Sequence, residues 1–268
     1  MHIDKQRCIG CANCVPVCPM GAIYIAADGL SEINEDECVE CHACYRGMSI
    51  MRLPQQPTRF IRSLLASAKL RFQPEPDICP TGAITSDELV WPRLLRRAFS
   101  DPQMPHESTG GGGRGTAEVK TNDVTGRVKE GEAGVTIEFG RPGVGARLRD
   151  VEGVSMMLAE MGVEFQSRNP VTALLSDIKT GAMREDVKNE KVLSCILEFK
   201  VNMDKVPDIL QGIERKVKEL DTVVSLGLAI RCDAEGNDAI REQLLAMGYD
   251  AWRGKINMGL GRHTNPSA

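Results

Sequence analysis

The sequence predicts an α+β chain in two parts, a small cysteine-built domain over residues 1–99 and an α+β sandwich over 117–268. Three observations predict it. Cysteines crowd the first part in two runs of matched spacing, a glycine-rich polar stretch follows at 100–116, and strand-like and helix-like patterns alternate beyond it. At 268 residues the chain has length for two cores, and 42% hydrophobic with 26% charged residues is an ordinary soluble globular composition.

The first run reads R-C-I-G-C-A-N-C-V-P-V-C-P-M-G-A-I, with Cys8, Cys11, Cys14 and Cys18 at C-x2-C-x2-C-x3-C-P spacing. That spacing is the bacterial pattern for cubane iron–sulfur clusters. Three thiols two residues apart wrap one loop around one cluster face. Cys18 lies too far round that loop to close the same cube, so it reaches to a second cluster. The chain supplies that site in E-C-V-E-C-H-A-C-Y, as Cys38, Cys41 and Cys44. No cysteine stands four places after Cys44. The partner is Cys79 in D-I-C-P-T-G-A-I, whose C-P-T-G-A-I copies C-P-M-G-A-I. One half-repeat is thus interrupted by residues 45–78.

On these eight cysteines and two C-P-x-G-A-I tails, residues 1–90 resemble a bacterial two-[4Fe-4S] ferredoxin carrying an insertion. The resemblance implies crossed ligation of two [4Fe-4S] clusters. Cys8, Cys11, Cys14 and Cys79 hold one in this pattern, and Cys38, Cys41, Cys44 and Cys18 the other. The insertion is the departure from the family, and it bears on Cys79. Such a domain has little apolar core, so the clusters serve as its interior. Gly21 and Gly82 suit loops passing close to sulfur, while Pro19 and Pro80 bend the chain without offering an N–H. Short strands are expected at Ile23–Ala26 and Ile84–Ser86, with Ile3 and Ile33 in equivalent places.

Other uses of the thiols fit less well. The start, M-H-I-D-K-Q-R-C, has no apolar leader, and no apolar run approaches the roughly 20 residues of a membrane helix. A cytoplasmic setting follows, where thiols stay reduced and ten cysteines point to metal. Zinc also takes C-x2-C pairs, but four ligands complete a structural zinc site. C-V-E-C-H, Cys38 to His42, matches a haem attachment box, yet haem leaves Cys44 and the duplication without a role. His42 then reads as an ordinary loop residue. Cys195 and Cys232 stand alone in apolar runs, as small buried hydrophobes. A net charge of −4 gives no general affinity for nucleic acid.

In the insertion, Pro54, Pro57, Pro74 and Pro76 bracket a helix expected over Thr58–Phe72. Phe60, Ile61, Leu64, Leu65 and Ala68 make its apolar face. Arg46, Arg52, Arg59, Arg62, Lys69 and Arg71 have no acidic residue among them, and Arg93, Arg96 and Arg97 continue the series. Three readings stand. The helix lies on the cluster domain with a solvated basic back; or Arg59, Arg62, Lys69 and Arg71 form a docking face for an acidic or apolar partner; or the face meets a membrane surface.

S-D-P-Q-M-P-H-E-S-T-G-G-G-G-R-G-T, residues 100–116, reads as a flexible linker, since no Walker G-K-[ST] ending accompanies its glycines. Beyond it, strands are expected at Val135–Gly140, Val163–Gln166, Val192–Val201, Val223–Arg231 and Tyr249–Ile256. Helices are expected at Arg147–Met161, Val206–Leu220 and Asn237–Met247. By pattern, residues 192–257 resemble the ACT-like βαββαβ fold. The loop F-G-R-P-G-V-G-A-R-L-R-D leads from strand to helix with Gly140, Gly143 and Gly145 beside Arg141, Arg147 and Arg149. It reads either as a structural turn or as a site for a small acidic ligand at a helix N-terminus.

The sequence therefore predicts an iron–sulfur electron-transfer protein, a subunit or redox partner of an anaerobic oxidoreductase, with no catalytic residues of its own. His2, His42, His106 and His263 make no Ser-His-Asp or Cys-His arrangement. The alternatives are a redox- or ligand-responsive regulator binding a small acidic metabolite in its C-terminal domain, and an enzyme with a site between domains.

Overall fold

The computed structural model describes residues 1–46, 55–70, 78–104 and 126–249, apart from 142, 234 and 239. It mixes helices and strands and divides into two compact units, Met1–Arg97 and Ala98–Ala268. Among the described residues, no helix is long and apolar enough to cross a membrane.

The first unit shows its duplication in the backbone. Strands β1 (His2–Ile3), β2 (Ile23–Ile25), β3 (Ser31–Ile33) and β4 (Ile84–Thr85) form two antiparallel pairs, β1 with β4 and β2 with β3. Ile3 sits opposite Ile84 and Ile33 opposite Ile23, so each C-P-x-G-A-I tail meets the lead into a cysteine loop. The bonds repeat. Asp4 N–H donates to Ala83 O and Asn34 N–H to Ala22 O, both at 2.8 Å. Cys8 N–H donates to Asp4 O and Cys38 N–H to Asn34 O, both at 3.0 Å. Met1, Ile3, Ile23, Ala83 and Ile84 are buried in one cluster with Cys14 and Cys44.

Helix α1 (Ala43–Arg46) follows the second cysteine loop, and α2 (Gln55–Ser67) is the helix of the insertion. α2 begins and ends earlier than the Thr58–Phe72 expected. Pro57 falls in its first turn, where the missing N–H is not needed. The helix stops because Lys69 turns left-handed, φ 57°, and Leu70 N–H bonds back to Leu65 O at 2.8 Å. Phe60, Ile61 and Leu64 of its apolar face are exposed. Helix α3 (Leu94–Ser100) runs into the stretch read as linker. Ser100 and Asp101 are buried, so the chain is still packed there, while residues 105–116 lie outside the described set.

The second unit contains β5 (Glu132–Phe139), β6 (Ala146–Arg147), α4 (Leu148–Glu160), β7 (Glu164–Phe165), β8 (Leu175–Asp177), β9 (Ala182–Met183), β10 (Lys191–Val192), β11 (Cys195–Asn202), α5 (Val206–Val217), β12 (Val224–Ile230) and α6 (Arg241–Ala246). Its four-stranded sheet has the order β12-β5-β11-β7, with every neighbouring pair antiparallel. Taken with α4 and α5, these strands make a βαββαβ unit.

That unit spans 132–230, not the 192–257 expected from pattern. The two-residue β7 and the short pairs β8–β9 and β6–β10 blur the periodicity that would have placed it. The last expected strand, Tyr249–Ile256, falls after Tyr249 outside the described residues. α6 starts later than Asn237, where Asp238 Oδ1 accepts the Ile240 and Arg241 N–H groups. Val135, Ile137 and Phe139 of β5, Leu197 and Phe199 of β11, Leu148, Val151 and Val154 of α4, and Val206, Ile209 and Ile213 of α5 are fully or almost fully buried. Each such side chain contributes about 1.5–3 kcal/mol by leaving water. Cys195 is buried among them, whereas Cys232 is exposed, against expectation.

Candidate metal centres

Two cavities divide the eight motif cysteines. One is lined by Cys18, Cys38, Cys41 and Cys44, the other by Cys8, Cys11, Cys14 and Cys79. Cys18 thus stands with the second run and Cys79 with the first. The thiols frame volumes. Among the described residues, no three His, Cys, Asp or Glu side chains converge to hold a single ion. A zinc ion with sulfur at about 2.3 Å needs its thiolates within roughly 4 Å of one another. A group wider than one ion suits these walls, and an all-thiolate donor set is the soft kind that iron–sulfur clusters take.

The backbone explains how each loop wraps its cavity. Gly10 and Glu40, at φ 67° and 54°, occupy the same place in the two runs, as do Ala12 and His42, at 60° and 61°. A left-handed non-glycine residue costs about 1–3 kcal/mol, so three of them in two loops mark a shape held by something else. The tails contribute donors. Ala22 N–H points to Cys18 Sγ at 3.3 Å and Ala83 N–H to Cys79 Sγ at 3.1 Å.

Burial pushes the Cys41 thiol up to about 11 and raises those of Cys14, Cys38 and Cys44. Without a cation these thiols stay protonated at neutral pH, so their thiolates form together with the metal. Cys79 differs. Burial works to raise it, but the Thr81 hydroxyl and the amides of Ala83, Ile84 and Thr81 outweigh burial and hold it below the ordinary thiol value.

The second loop is also clamped from outside the cysteine motifs. Glu40 is fully buried, with the Met1 ammonium 2.7 Å from one oxygen and Arg93 on the other. Burial works against its ionisation, yet these two cations hold its carboxyl below the usual range. Arg96, almost wholly buried, donates from one Nη1 to the carbonyls of Glu35, Asp36 and Cys38 at 2.9–3.0 Å. His42 is buried too, its Nε2 3.1 Å from Ser86 Oγ and its ring edge-on to Tyr45, so it is no ordinary loop residue. Sequence reasoning missed this group. Its one legible sign was a glutamate where the matching run has Gly10. Arg93 and Arg96 are accordingly drawn inward from the basic series in which the sequence placed them.

The remaining expected sites are less convergent. Arg59 and Arg62 fall on α2 with side chains outside the described set, Lys69 is exposed just past its end, and Arg71 lies outside the described residues. In the glycine-rich loop, Val144 and Gly145 N–H bond to Gly140 O, while Gly143 is exposed. At the start of α4, Leu148 N–H donates to Glu190 O and Arg149 N–H to Lys188 O. Arg141 pairs with Glu138 at 3.0 Å and Arg147 donates to Asn189 O. The β6–β10 pairing brings those carbonyls in, so amides expected to meet an anion meet protein instead.

Residues 1–47 match the model of the 4Fe-4S dicluster domain, a match that ends before Cys79. The chain is 30% identical over 122 residues to the polysulfide reductase B subunit of Wolinella succinogenes, covering 41% of this chain and 63% of that subunit. It is 32% identical over 90 residues to the nitrate-inducible formate dehydrogenase iron-sulfur subunit of Escherichia coli, 31% of each protein. Ferredoxin-1 of Rhodobacter capsulatus is 46% identical over 41 residues, 15% of this chain and 62% of its own length. In each case the chain spans less than two thirds of the relative's length. No solved structure matches.

Proposed function

We propose that this chain carries single electrons through two [4Fe-4S] clusters as a subunit or partner of a larger oxidoreductase. The observation that carries the reading is the sorting of eight cysteines into two four-thiol cavities on a duplicated backbone. In this reading Cys8, Cys11, Cys14 and Cys79 hold one cluster, and Cys38, Cys41, Cys44 and Cys18 hold the other. Bound clusters supply one-electron oxidation and reduction. The chain's residues do the rest. The Ala22 and Ala83 amides place donors on sulfur, Ile3, Ile23, Val39 and Ile84 keep water from the inner walls, and Arg93 and Arg96 fix the second loop.

The names of the polysulfide reductase and formate dehydrogenase relatives support a place beside a larger redox enzyme. The setting proposed is cytoplasmic and anaerobic. The docking face proposed is the insertion, which carries Arg59, Arg62, Lys69 and Arg71 in the same stretch of sequence as the exposed Phe60, Ile61 and Leu64. The division proposed is a cluster domain to residue 99 and an α+β domain from 117, with the linker expected over 100–116 starting only after the packed Ser100 and Asp101.

Anaerobically purified chain should contain about eight irons with matching sulfide and give reversible one-electron signals by electron paramagnetic resonance. Clearly fewer irons, or no reversible signal, removes the reading. The βαββαβ order of the second unit supports a lesser reading, an ACT-like module regulated by a small acidic metabolite. Thermal stabilisation of the full chain by a panel of amino and dicarboxylic acids tests it, and no stabilisation by any of them dismisses it.

A further inference from the structure

The two thiol sets share a backbone but not their surroundings. Ser31 is buried with its Oγ 3.3 Å from Cys14 Sγ, and Thr81 Oγ1 lies 3.6 Å from Cys79 Sγ. Toward a metal-bound thiolate only the hydroxyl can donate. Both contacts fall on the first set. Among the described residues no hydroxyl reaches Cys18, Cys38, Cys41 or Cys44. The repeat shows why: Met20 stands where Thr81 does, and Met1 stands where Ser31 does.

Exposure differs in the same sense. Ile9 is 64% exposed and its counterpart Val39 is 1% exposed; Cys11 is exposed where Cys41 is half-buried. Charge does not separate the two sets, since Lys5 near the first is paired with Asp28 and Glu32, and Glu40 near the second with the Met1 ammonium and Arg93. Donors to sulfur and water access both favour the state with one more electron.

We infer that Ser31 and Thr81 poise the first thiol set, making the cluster held by Cys8, Cys11, Cys14 and Cys79 the more readily reduced of the two. The added electron then rests at the face where Ile9 and Cys11 meet solvent. The inference rests on the ligand sets proposed above. Ser31 and Thr81 are positioning residues in this scheme, acting on the metal through Cys14 and Cys79. The step is a one-electron exchange in which one cluster is oxidised as the other is reduced, with no proton or bond transferred.

The test is an anaerobic potentiometric titration of the full chain, followed by electron paramagnetic resonance, with iron counted in every sample. Wild type should reduce in two steps. Ser31→Ala and Thr81→Val should each move the first step to lower potential and leave the second in place. A tenfold loss of preference for the first cluster is about 59 mV for a one-electron couple. Thr81→Ser should restore the wild-type value. Met20→Thr, which adds a hydroxyl to the other tail, should raise the second step alone, and it decides the matter even if Thr81→Val sheds iron. Full iron content with the first step unmoved in both deletion variants, or with both steps moving together, overturns the inference. Fewer than eight irons in wild type instead removes the ligand sets on which it stands.

Discussion

Arg93 grips one oxygen of the buried Glu40 at two points, Nη2 at 2.7 Å and Nε at 2.9 Å. Glu40 occupies a left-handed position that the matching run fills with Gly10, so the ion pair holds a loop shape its own residue resists. Arg93→Ala leaves that carboxylate oxygen buried without its partner. The loss should be about 3 kcal/mol, the low end for a buried pair because Arg93 keeps 29% of its side chain in solvent. Half of the iron, that of the second set, should leave first on heating or chelation. Adding Glu40→Gly to Arg93→Ala removes the orphaned carboxylate and the strained residue but leaves the buried Met1 ammonium without its partner, so only part of the stability should return. A double variant as damaged as the sum of the two single variants counts against the pair as the loop's anchor.

Arg96 makes a second, separable prediction. Its guanidinium satisfies three carbonyls of the chain leading into Cys38, and Arg96→Leu leaves all three without that donor. Each lost bond to a charged donor is worth about 1.5–3 kcal/mol, so the variant should be strongly destabilised. Arg96→Lys should recover part of the loss, because all three bonds come from one nitrogen and an ammonium also offers three N–H groups from one nitrogen. Rates of iron release to a chelator check this. Release from one half of the iron should accelerate and the other half should keep the wild-type rate.

These two arginines also show what the sequence withholds. Cysteine spacing is a local record, so Cys18 and Cys79 could be assigned to opposite runs before any coordinates, and each lines the cavity of the run it was given. Arg96 and Cys38 are far apart in the chain, and nothing in R-L-L-R-R distinguishes a clamp from a solvated cation. The α+β character of the second unit was legible from β5, β11 and α5, whose apolar periods are long. Its strand order was not, because β7 contributes only two residues and pairs through Phe165 and Glu164. The surroundings of the glycine-rich loop were out of reach for the same reason: the carbonyls of Lys188 and Glu190 that accept from Arg149 and Leu148 arrive from a distant segment.

Glycines in the cysteine loops should respond unequally to the same change. Gly10 is left-handed, and a Cβ there would lie 2.5 Å from Gly29 O, a backbone atom that cannot step aside alone. Gly21 is left-handed as well, but nothing lies within 4 Å of its Cβ direction. Gly21→Ala should therefore cost only the backbone strain, about 1–2 kcal/mol. Gly10→Ala should cost more and should loosen iron from the first set. Thermal unfolding of both holo variants gives the comparison, and equal losses would show that the Gly10–Gly29 approach is not a constraint.

The crossed assignment of Cys18 and Cys79 has a consequence that proximity in sequence does not. Cys18 lies four residues from Cys14, so ligation by neighbourhood would make Cys18→Ala damage the first cluster. The cavities place its sulfur with Cys38, Cys41 and Cys44 instead. Cys18→Ala should then halve the iron and abolish the signal of the second set, and Cys79→Ala should abolish the other. Adding Thr81→Val separates the assignments further. On the Cys18→Ala background it should still lower the potential of the surviving signal, because Thr81 remains beside Cys79. On the Cys79→Ala background it should do nothing, since its sulfur partner is gone. The reverse pattern would mean that each run keeps its own fourth cysteine, and that the insertion separates a ligand from its own loop rather than from its partner's.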